Sequence, residues 1–326
     1  MKVTVVIPNY NGKHFLAPCL EALARQTCQD FQILIVDNAS EDESIDFLET
    51  EYPNVKYIVL DKNYGFSKAV NIGIRSAKTP YVFLLNNDTK IAPTCIQELL
   101  NTMETSRKIF SVSSKMIQMY HPELIDSAGD LYTVIGWGVC RGNGRPVSLY
   151  QTPEPIFSAC AGAAMYRTRI FQKIGYFDEN HFAYLEDIDI GYRAKIFGYQ
   201  NVYCPTAIVE HVGSGTSGSK YNAFKVRLSA RNSVYLNYKN MPILQLFFNF
   251  LPLCIGYLVK YLFFCKIGFG KEYKEGVQEG LHKCRAQAKV PFRFRHLLNY
   301  FRIEGELIRN TFSYAKDWIQ RKVLKK

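Results

Sequence analysis

Short apolar runs alternate with segments of helical periodicity over the first 120 residues of the chain. An apolar run of about four to eight residues is typical of a buried strand. Such runs occur at Val3–Pro8, Phe31–Asp37, Val55–Leu60 and Tyr81–Asp88. The intervening segments predict helices near residues 13–26, 41–51, 65–77 and 93–105. This alternation predicts βαβ units, and therefore an α/β fold with a mostly parallel central sheet.

Three of these strands end in polar residues that suit the binding edge of a sheet. These polar stretches are Pro8 to Asn11, Asp37 to Ser40, and Asn86 to Asp88. Open α/β sheets bind ligands beyond the carboxyl ends of their strands, so the three stretches predict a nucleotide site. Asp88 would lie at a strand tip, where a carboxylate can hold a divalent cation against the phosphates of a ligand.

The middle of the chain is less regular. Glu186, Asp187 and Asp189 lie at the start of a predicted helix, where the helix dipole stabilises acidic side chains. A late strand is predicted over Val202–His211. Residues 213–218 are rich in glycine and serine and predict a loop, either a lid over a bound ligand or a simple connector.

Charge is divided unevenly along the chain. Residues 1–218 carry 19 Lys and Arg against 23 Asp and Glu, whereas residues 219–326 carry 21 against 6. We therefore predict a domain over residues 1–218 and a basic, helical C-terminal region over residues 219–326. A strongly basic region binds anionic membranes or nucleic acid. The phenylalanines and tyrosines between the charges favour an amphipathic region on an anionic membrane surface.

The most apolar part of this C-terminal region is Met241–Cys265. A membrane-spanning helix needs about 20 mostly apolar residues. The segment is interrupted by Gln245, Asn249, Pro252 and Lys260. These interruptions favour helices that lie in the membrane interface, while a true span, a helical core and an oligomer interface are the alternatives.

Cysteine usage and the N-terminus bear on localisation. The nine cysteines lack any CxxC pair or regular spacing, which argues against a zinc site or a disulfide framework and favours a reducing compartment. The first apolar run, Val3–Pro8, is too short for a signal peptide. We therefore expect a peripheral protein at the cytoplasmic face of the cell membrane.

Six motifs, in this order, resemble the family 2 glycosyltransferases of the GT-A fold: VVIPNYN, VDNASEDES, KNYGFSKAVNIGI, FLLNNDT, GYFDENHFAYLEDIDIGYR and IVEHVGSG. They cover roughly residues 3–218 and are most similar to the rhamnosyltransferase-like branch of bacterial cell-surface polysaccharide enzymes. The resemblance implies inverting transfer of a sugar from a nucleotide-sugar donor to a polyprenyl-diphosphate-linked saccharide. The favoured donor is dTDP-rhamnose.

The resemblance also assigns residues that bind the nucleotide sugar. Asp37 and Asn38 would contact the base and the ribose, although a capped turn before the next helix is the alternative. Arg193 would contact the diphosphate, or would instead pair with Asp189 four residues earlier. The other assigned residues are Pro8, Asn9, Asn11, Asn63, Gly65, Asn71 and Asn87.

The metal motif of this family is Asp-x-Asp, but this chain has Asn86-Asn87-Asp88. The resemblance implies Mg²⁺ or Mn²⁺ held by Asp88, by the late His211 and by the diphosphate of the nucleotide. With one carboxylate, the intrinsic metal affinity would be weak and would increase when nucleotide is bound. The alternative for His211 is a histidine that only satisfies backbone groups at a strand end.

Asp187 matches the general base of the family, and Glu186 is the second choice. Inverting transfer needs one carboxylate opposite the leaving group to accept the proton of the acceptor hydroxyl. The alternative for this pair is stabilisation of a helix N-terminus, worth about 0.3–1 kcal/mol. Ser127 and Asp130 are candidates for the acceptor side of the site.

Two rival functions stay open. A nucleotidyltransferase also uses a nucleotide-binding α/β domain and a metal, but the chain lacks an N-terminal glycine-rich phosphate loop followed by a basic residue. A non-catalytic protein that binds membrane or nucleic acid would account for the basic region alone. We expect a nucleotide sugar, a lipid-linked saccharide and an anionic membrane as partners, no nucleic acid, and a homodimer as an open alternative.

Overall fold

The computed structural model describes residues 1–213 and 221–323. The strands in these ranges are β1 (Val3–Asn9), β2 (Phe31–Asp37), β3 (Lys56–Val59), β4 (Tyr81–Leu85), β5 (Thr89–Ile91), β6 (Ile109–Gln118), β7 (His121–Ser127), β8 (Asp130–Tyr132), β9 (Gly138–Cys140), β10 (Glu154–Ile156), β11 (Ala163–Arg167) and β12 (Gln200–His211). The α-helices are α1 (Lys13–Ala24), α2 (Ser44–Glu51), α3 (Phe66–Ser76), α4 (Cys95–Glu104), α5 (Thr168–Ile174), α6 (Glu186–Ile196), α7 (Ala223–Asn240), α8 (Ile243–Phe248), α9 (Phe250–Lys266), α10 (Gly270–Lys283) and α11 (Leu297–Val323).

A mixed ten-stranded sheet forms the centre of the molecule, in the order β10-β12-β6-β11-β4-β1-β2-β3, with β5 on β12 and β7 on β6. The run from β4 to β3 is parallel, and β6 and β12 form a second parallel pair. Between these runs, β11 is antiparallel to both β4 and β6. The α/β fold and the four predicted strands of the first 90 residues are confirmed.

The parallel run sets the position of the binding edge. Strands β1 and β2 are in register from Val3 opposite Phe31 to Asn9 opposite Asp37. Strand β4 ends at Leu85, so the Asn86–Asp88 stretch lies immediately beyond its tip. The polar stretches after β1, β2 and β4 therefore lie at one edge of the sheet, as the sequence predicts.

Strand β4 shows why its sequence is uniformly apolar. Phe83 packs into the cluster on the face covered by α1 and α4. Val82 and Leu84 pack into the cluster on the opposite face, with α3 and α5. Because successive side chains of a strand point to opposite faces, a strand covered on both sides needs apolar residues at every position.

The C-terminal helices share a hydrophobic cluster with the first part of the chain. In this cluster, Tyr132 and Tyr192 pack with Leu236 of α7, Leu253 of α9 and Ile303 of α11. The predicted boundary at residue 218, and residues 214–218 of the predicted loop, lie outside the described residues. The packing nevertheless makes the helices on the far side of that boundary part of the same folded body.

The segment Met241–Cys265 forms α8 and α9, which meet at Asn249. Among the described residues, we find no helix with both the length and the apolarity needed to cross a bilayer. The α9 helix has 17 residues and contains Lys260.

Candidate active site

A cleft of about 670 Å³ lies beyond the carboxyl ends of β1, β2 and β4. The sequence-predicted residues that line it are Pro8, Asn9, Asn38, Asn63, Gly65, Asn87, Asp88, Glu186, Asp187 and His211. Other parts of the lining come from residues 160–162, residues 182–184, Phe224 and Lys225. Residues that are far apart in the sequence, from Pro8 to Lys225, therefore share one cavity.

Hydrogen bonds between the strand tips hold the floor of the cleft. The Asn9 amide donates to the Asp37 carboxylate at 2.8 Å, and the Asn87 amide donates to the Asn9 side-chain oxygen at 2.7 Å. A Cβ at Gly12 would collide with the Asn87 and Asn9 side chains, so this position requires glycine. The tips of β1, β2 and β4 are thus fixed relative to one another.

Asn38 holds the turn that precedes α3. Its side-chain oxygen accepts from the backbone N–H of Tyr64 at 3.2 Å, and its amide donates to the carbonyl of Gly65 at 3.3 Å. Gly65 has a φ of 82°, and a Cβ there would lie 2.6 Å from the ring of Phe182. Only glycine allows α3 to begin this close to the opposite wall of the cleft.

Asp88, His211 and Asp126 form a connected corner. Strand β12 pairs with β5 so that His211 lies opposite Thr89. The His211 Nε2 atom lies 3.2 Å from Asp88 Oδ1, and its Nδ1 atom lies 2.8 Å from Asp126 Oδ2. Burial alone would lower the pKa of His211, but hydrogen bonds to Asp126 and Asp88 outweigh it and raise that pKa to about 10.

This corner has the chemistry of a divalent cation site. A carboxylate oxygen and an imidazole nitrogen face each other, and a second carboxylate bonds the far nitrogen of the ring, as is common behind metal-bound histidines. Because a histidine ligand must be neutral, cation binding would displace the proton that His211 holds between its two carboxylates.

Three acidic side chains, those of Asp130, Glu186 and Asp187, lie close together at the start of α6. One oxygen each of Asp130 and Asp187 and the thiol of Cys160 lie within 4.8 Å of one another. Burial and the charge of Asp187 raise the pKa of Asp130 well above its usual range and raise the pKa of Glu186 to about 8. Burial also raises the pKa of Asp187, but its carboxylate accepts the backbone N–H of Ile188 at 2.7 Å. Asp187 is therefore the carboxyl of this cluster best supported in its ionised form.

The same cluster offers a second set of metal-ligating atoms. Burial raises the pKa of the Cys160 thiol well above its usual range, so the thiolate that a metal would require is disfavoured. Asp130 is held in its neutral form for a similar reason. The cluster is therefore suited to holding protons. At the Asp88–His211 corner a cation also has to displace a proton, that of the His211 ring, but there an imidazole nitrogen and a carboxylate oxygen face each other at the cleft.

The segment that leads into Glu186 has an unusual backbone. Phe182, Tyr184 and Leu185 all have positive φ values, of 63°, 72° and 66°. Such angles are unfavourable for residues other than glycine. The buried Asn232 amide on α7 compensates by donating to three carbonyls of this segment, those of His181, Ala183 and Tyr184, at 2.8–2.9 Å.

Four predicted binding residues do not line the cleft. Asn11 bonds the turn at Ser40 and Glu41. Asp37 is fully buried and accepts from Asn9 and from Ser40, so it has the capped-turn role that the sequence offered as the alternative. These two residues support the floor of the cleft without forming its surface.

The other two, Asn71 and Arg193, hold neighbouring elements together. Asn71 exchanges hydrogen bonds with the backbone of Phe177 at 2.8 and 3.0 Å. Arg193 pairs with Asp189 at 2.6 Å and donates to the carbonyls of Ile174 and Tyr176. The expectation that Arg193 contacts the diphosphate is therefore corrected, because the guanidinium is buried in an ion pair within α6.

Two charged residues of the site were missed by sequence analysis. Asp126 lies in β7, in a stretch without clear periodicity, and only the pairing of β6 with β7 and β12 brings it to His211. Lys225 comes from the basic C-terminal region, where it is one cation among many. Neither has a local sequence signal, because both positions depend on contacts between distant segments.

The profile of Glycosyl transferase family 2 matches residues 4–175, and the chain belongs to this family. This membership favours the glycosyltransferase over the two rival functions considered above. The matched residues include β1 to β4 and the Asp88 end of the cleft.

Relatives of known name support the same class. The uncharacterized glycosyltransferase YwdF of Bacillus subtilis is 26% identical over 261 residues, which cover 75% of this chain and 89% of that protein. The N-acetylglucosaminyl-diphospho-decaprenol L-rhamnosyltransferase of Mycobacterium tuberculosis is 27% identical over 66% of this chain and 77% of its own length. A teichoic acid poly(glycerol phosphate) polymerase of Staphylococcus epidermidis is 34% identical, but this chain spans only 13% of its length.

Solved structures share the GT-A fold. GalNAc-T7 with UDP, GalNAc and Mn²⁺ has a TM-score of 0.58 at 16% identity, over 73% of this chain and 47% of that one. Residues 1–349 of TarS from S. aureus, in complex with UDP, have a TM-score of 0.51 at 16% identity, over 86% and 92% of the two chains. At these identities, the likeness establishes the fold alone.

Proposed function

We propose that the protein is an inverting glycosyltransferase that moves a sugar from a nucleotide-sugar donor to a lipid-linked saccharide during cell-surface polysaccharide synthesis. The observation that carries the proposal is the single cleft that brings Asp88 and His211 together with Glu186 and Asp187. Family membership supports a sugar transfer of this kind.

In the proposed reaction, the carboxylate of Asp187 accepts the proton of the acceptor hydroxyl. The hydroxyl oxygen bonds to the anomeric carbon of the donor sugar while the bond from that carbon to the diphosphate breaks, with the electron pair leaving on the diphosphate. Attack from the face opposite the leaving group inverts the configuration. A positioned carboxylate of this kind contributes about 10²–10⁴-fold to a rate.

Asp88 and His211 are the residues we propose to hold Mg²⁺ or Mn²⁺, with Asp126 orienting the imidazole. When bound, the cation would stabilise the negative charge of the departing nucleoside diphosphate. Lys225 adds a positive side chain to the same cleft. Because Asp88 is the one carboxylate in this corner that faces the cleft, we expect cation affinity to rise when a nucleoside diphosphate is present.

We propose dTDP-rhamnose as the donor and a polyprenyl-diphosphate-linked saccharide as the acceptor. The support is the named M. tuberculosis relative, whose similarity extends over 77% of its length. dTDP-rhamnose and a polyprenyl-diphosphate-linked saccharide are therefore the first donor and acceptor to test.

The proposed location is the cytoplasmic face of the cell membrane, bound peripherally through an exposed apolar face. We define this apolar face by Ile243, Leu244, Phe247, Phe248, Leu251, Leu258, Leu262, Phe294, Leu298 and Phe301, all of which are exposed. The α8 and α11 helices lie side by side, because Glu304 of α11 accepts from the Gln245 amide at 2.7 Å. Apolar side chains of this size and number favour insertion into the lipid interface.

The direct test is to incubate the full chain with labelled nucleotide sugars, a polyprenyl-diphosphate-linked N-acetylglucosamine and either Mg²⁺ or Mn²⁺. We expect the lipid to gain one sugar and a nucleoside diphosphate to be released. Asp187→Asn should slow the transfer by about 10²–10⁴-fold, whereas Asp46→Asn, which removes an exposed acid on α2, should not change it.

Three results would each contradict a part of the proposal. Release of sugar 1-phosphate instead of a nucleoside diphosphate would indicate nucleotidyl transfer. Unchanged sugar transfer by the Asp187→Asn variant would remove the assigned base. Transfer that survives complete chelation would remove the cation from the mechanism.

A further inference from the structure

A second cavity, of about 780 Å³, lies outside the catalytic cleft and is lined by seven basic side chains. They are Arg75, Lys173, Arg193, Lys239, Lys289, Arg293 and Arg295. We call this space the basic cavity. It shares no lining residue with the catalytic cleft, although both meet α3: Gly65 and Phe66 line the cleft, and Asn71 and Arg75 line the basic cavity.

Two of the seven cationic side chains form ion pairs with carboxylates of the protein itself. Lys239 lies 2.6 Å from the Asp178 carboxylate and 3.3 Å from that of Asp189. Arg193 also pairs with Asp189, at 2.6 Å. These ion pairs join α6 and α7 at the back of the cavity, and they leave little charge on either side chain for a ligand.

The other five cations make no ion pair within residues 1–213 and 221–323: Arg75, Lys173, Lys289, Arg293 and Arg295. Among the described residues that line the cavity, two carry carboxylates, and both are engaged, Asp178 with Lys239 and Glu179 with Lys68. Five like charges around one space repel each other, and an anion between them would remove that repulsion.

Aromatic rings hold two of these cations in place. The Arg75 guanidinium lies 4.3 Å from the centre of the Tyr176 ring, and the Lys289 ammonium lies 4.4 Å from that of Tyr238. Such contacts orient a cation without neutralising it, since the ring carries no net charge. The charges therefore stay available to an anionic ligand.

The basic cavity adjoins the apolar face. In residues 292–295, the phenylalanines alternate with Arg293 and Arg295, and Phe294 is 84% exposed. Leu298 and Phe301, on the next turns of α11, continue the apolar face. Cations that flank, in sequence, a side chain that would enter lipid are expected at the depth of the headgroup phosphates.

We propose that the basic cavity binds the phosphate group of an anionic membrane lipid, held between Arg75, Lys173, Lys289 and Arg293. This inference rests on the proposed membrane association and adds a specific headgroup site to it. A phosphate offers several acceptor oxygens, which arginine and lysine donors can bind together. The site would fix the orientation of the protein on the membrane.

The test is binding of the full chain to vesicles of phosphatidylglycerol in phosphatidylcholine, compared with vesicles of phosphatidylcholine alone. The cavity variant combines Arg75→Gln, Lys173→Gln, Lys289→Gln and Arg293→Gln. Its matched control, Lys56→Gln, Lys62→Gln, Arg107→Gln and Lys108→Gln, removes the same charge from exposed positions on the N-terminal part of the chain. We expect the cavity variant to lose at least tenfold in affinity for the anionic vesicles, and the control to lose about twofold.

Equal losses in the two variants would overturn the headgroup site in favour of general electrostatic attraction. A second result would also overturn the headgroup site: the wild-type chain binds inorganic diphosphate tightly in calorimetry, and the cavity variant loses this diphosphate binding but keeps its affinity for the vesicles. Failure of the wild-type chain to bind either vesicle would instead overturn the proposed membrane association. Sugar transfer to a detergent-solubilised acceptor should be unchanged in the cavity variant, which separates this inference from the proposed catalytic role.

Discussion

Glu186 and Asp187 are adjacent in sequence but differ in their surroundings. One carboxylate oxygen of Glu186 is buried without a hydrogen-bond partner among the described residues. Burial and the charge of Asp187 raise the pKa of Glu186 to about 8, so its side chain is neutral at pH 7. A neutral Glu186 is consistent with Asp187 as the proposed base.

We therefore expect Glu186→Gln to have a small effect on kcat at pH 7, because glutamine resembles a neutral carboxyl group in shape and charge. Its kcat should stay within about threefold of the wild-type value, whereas Asp187→Asn should lower kcat by about 10²–10⁴-fold. Steady-state kinetics of both variants with the same donor measure the difference. A loss in Glu186→Gln as large as that in Asp187→Asn would exchange the two roles.

The same pKa predicts how stability depends on pH. The pKa of Glu186 in the folded chain lies above its ordinary value of 4.5, so the native state holds a proton that the unfolded chain releases. The stabilisation that the protonated Glu186 side chain gives the folded state is therefore complete below about pH 4.5, and it is lost as the pH rises towards 8. Glu186→Gln should melt a few degrees above wild type near pH 8.5 and show a smaller difference near pH 5. A difference in Tm that is independent of pH would contradict this assignment.

Asp126 acts on the proposed cation site through His211. Its carboxylate lies 2.8 Å from Nδ1 of the ring and would make Nε2 a better ligand. Asp126→Asn should weaken Mn²⁺ binding by about 10–100-fold, the effect typical of losing such a partner. Calorimetric titration with Mn²⁺ in the presence of nucleoside diphosphate measures this. The control is Glu123→Gln, an exposed acid on the same strand, and equal Mn²⁺ affinity in both variants would rule out this role for Asp126.

The residues of the site fall into two groups according to how far their positions can be predicted. Asn9, Asn87 and Asp88 directly follow apolar strands, so local pattern and the parallel topology together predict that they meet. Asp126 and Lys225 reach the site only through the pairing of β7 and the packing of α7. Arg193 satisfies both a binding motif and an ion-pair spacing, and only the structure selects the ion pair.

At the scale of elements, α7 supports the catalytic segment. The segment with strained backbone angles at Phe182, Tyr184 and Leu185 is held by Asn232, which donates to the carbonyls of His181, Ala183 and Tyr184. Arg231, the preceding residue, donates to the carbonyls of Asn180 and His181. A helix of the basic C-terminal region is therefore a structural part of the catalytic cleft.

Asn232→Ala should release this segment and lower kcat by about 10–100-fold, as expected when a catalytic group is misplaced by about 1 Å. The matched control is Asn237→Ala on the same helix, since Asn237 is also buried and bonds the hydroxyls of Tyr132 and Tyr257. Both variants should lose about 1–3 kcal/mol of stability. Kinetics and thermal melting together test the prediction, and equal losses of kcat in the two variants would reduce Asn232 to a general contributor to stability.

Strands β4 and β6 show why one element could be predicted and another could not. Strand β4 is an uninterrupted apolar run, and its prediction is confirmed. Strand β6 contains three buried serines, which satisfy their hydroxyls within the sheet or in adjoining elements; for example, Ser111 donates to Asn201 and Ser114 to the carbonyl of Ala163. A serine-rich sequence favours neither a strand nor a core when its hydrogen-bond partners are unknown.

At the scale of the whole molecule, the candidate catalytic cleft and the apolar face belong to one folded body. The cluster around Tyr132 and Tyr192 includes side chains from α7, α9 and α11, and Arg145 pairs with Asp317 of α11 at 2.6 Å. The predicted division near residue 218 thus separates regions of different charge that share a hydrophobic core. The division into a domain over residues 1–218 and a helical region over residues 219–326 stays a prediction, which truncation after residue 218 would test.

The apolar face then allows a test that separates membrane binding from folding. Leu244 and Phe247 on α8 are 69% and 73% exposed, so replacing both with glutamate should leave the melting temperature nearly unchanged. Burying such a side chain in an apolar phase contributes about 1.5–3 kcal/mol. Leu244→Glu with Phe247→Glu should therefore lower the affinity for phosphatidylglycerol vesicles by at least about 100-fold.

Tyr120→Glu is the matched control, because Tyr120 is 71% exposed on the turn between β6 and β7. It should bind vesicles as tightly as the wild-type chain does. If the apolar face were instead the interface of a homodimer, the wild-type chain would sediment as a dimer and would not bind vesicles. The double glutamate variant would then sediment as a monomer. Flotation and sedimentation velocity on the same three proteins distinguish the two, because a face inserted in lipid cannot at the same time be buried against a second copy.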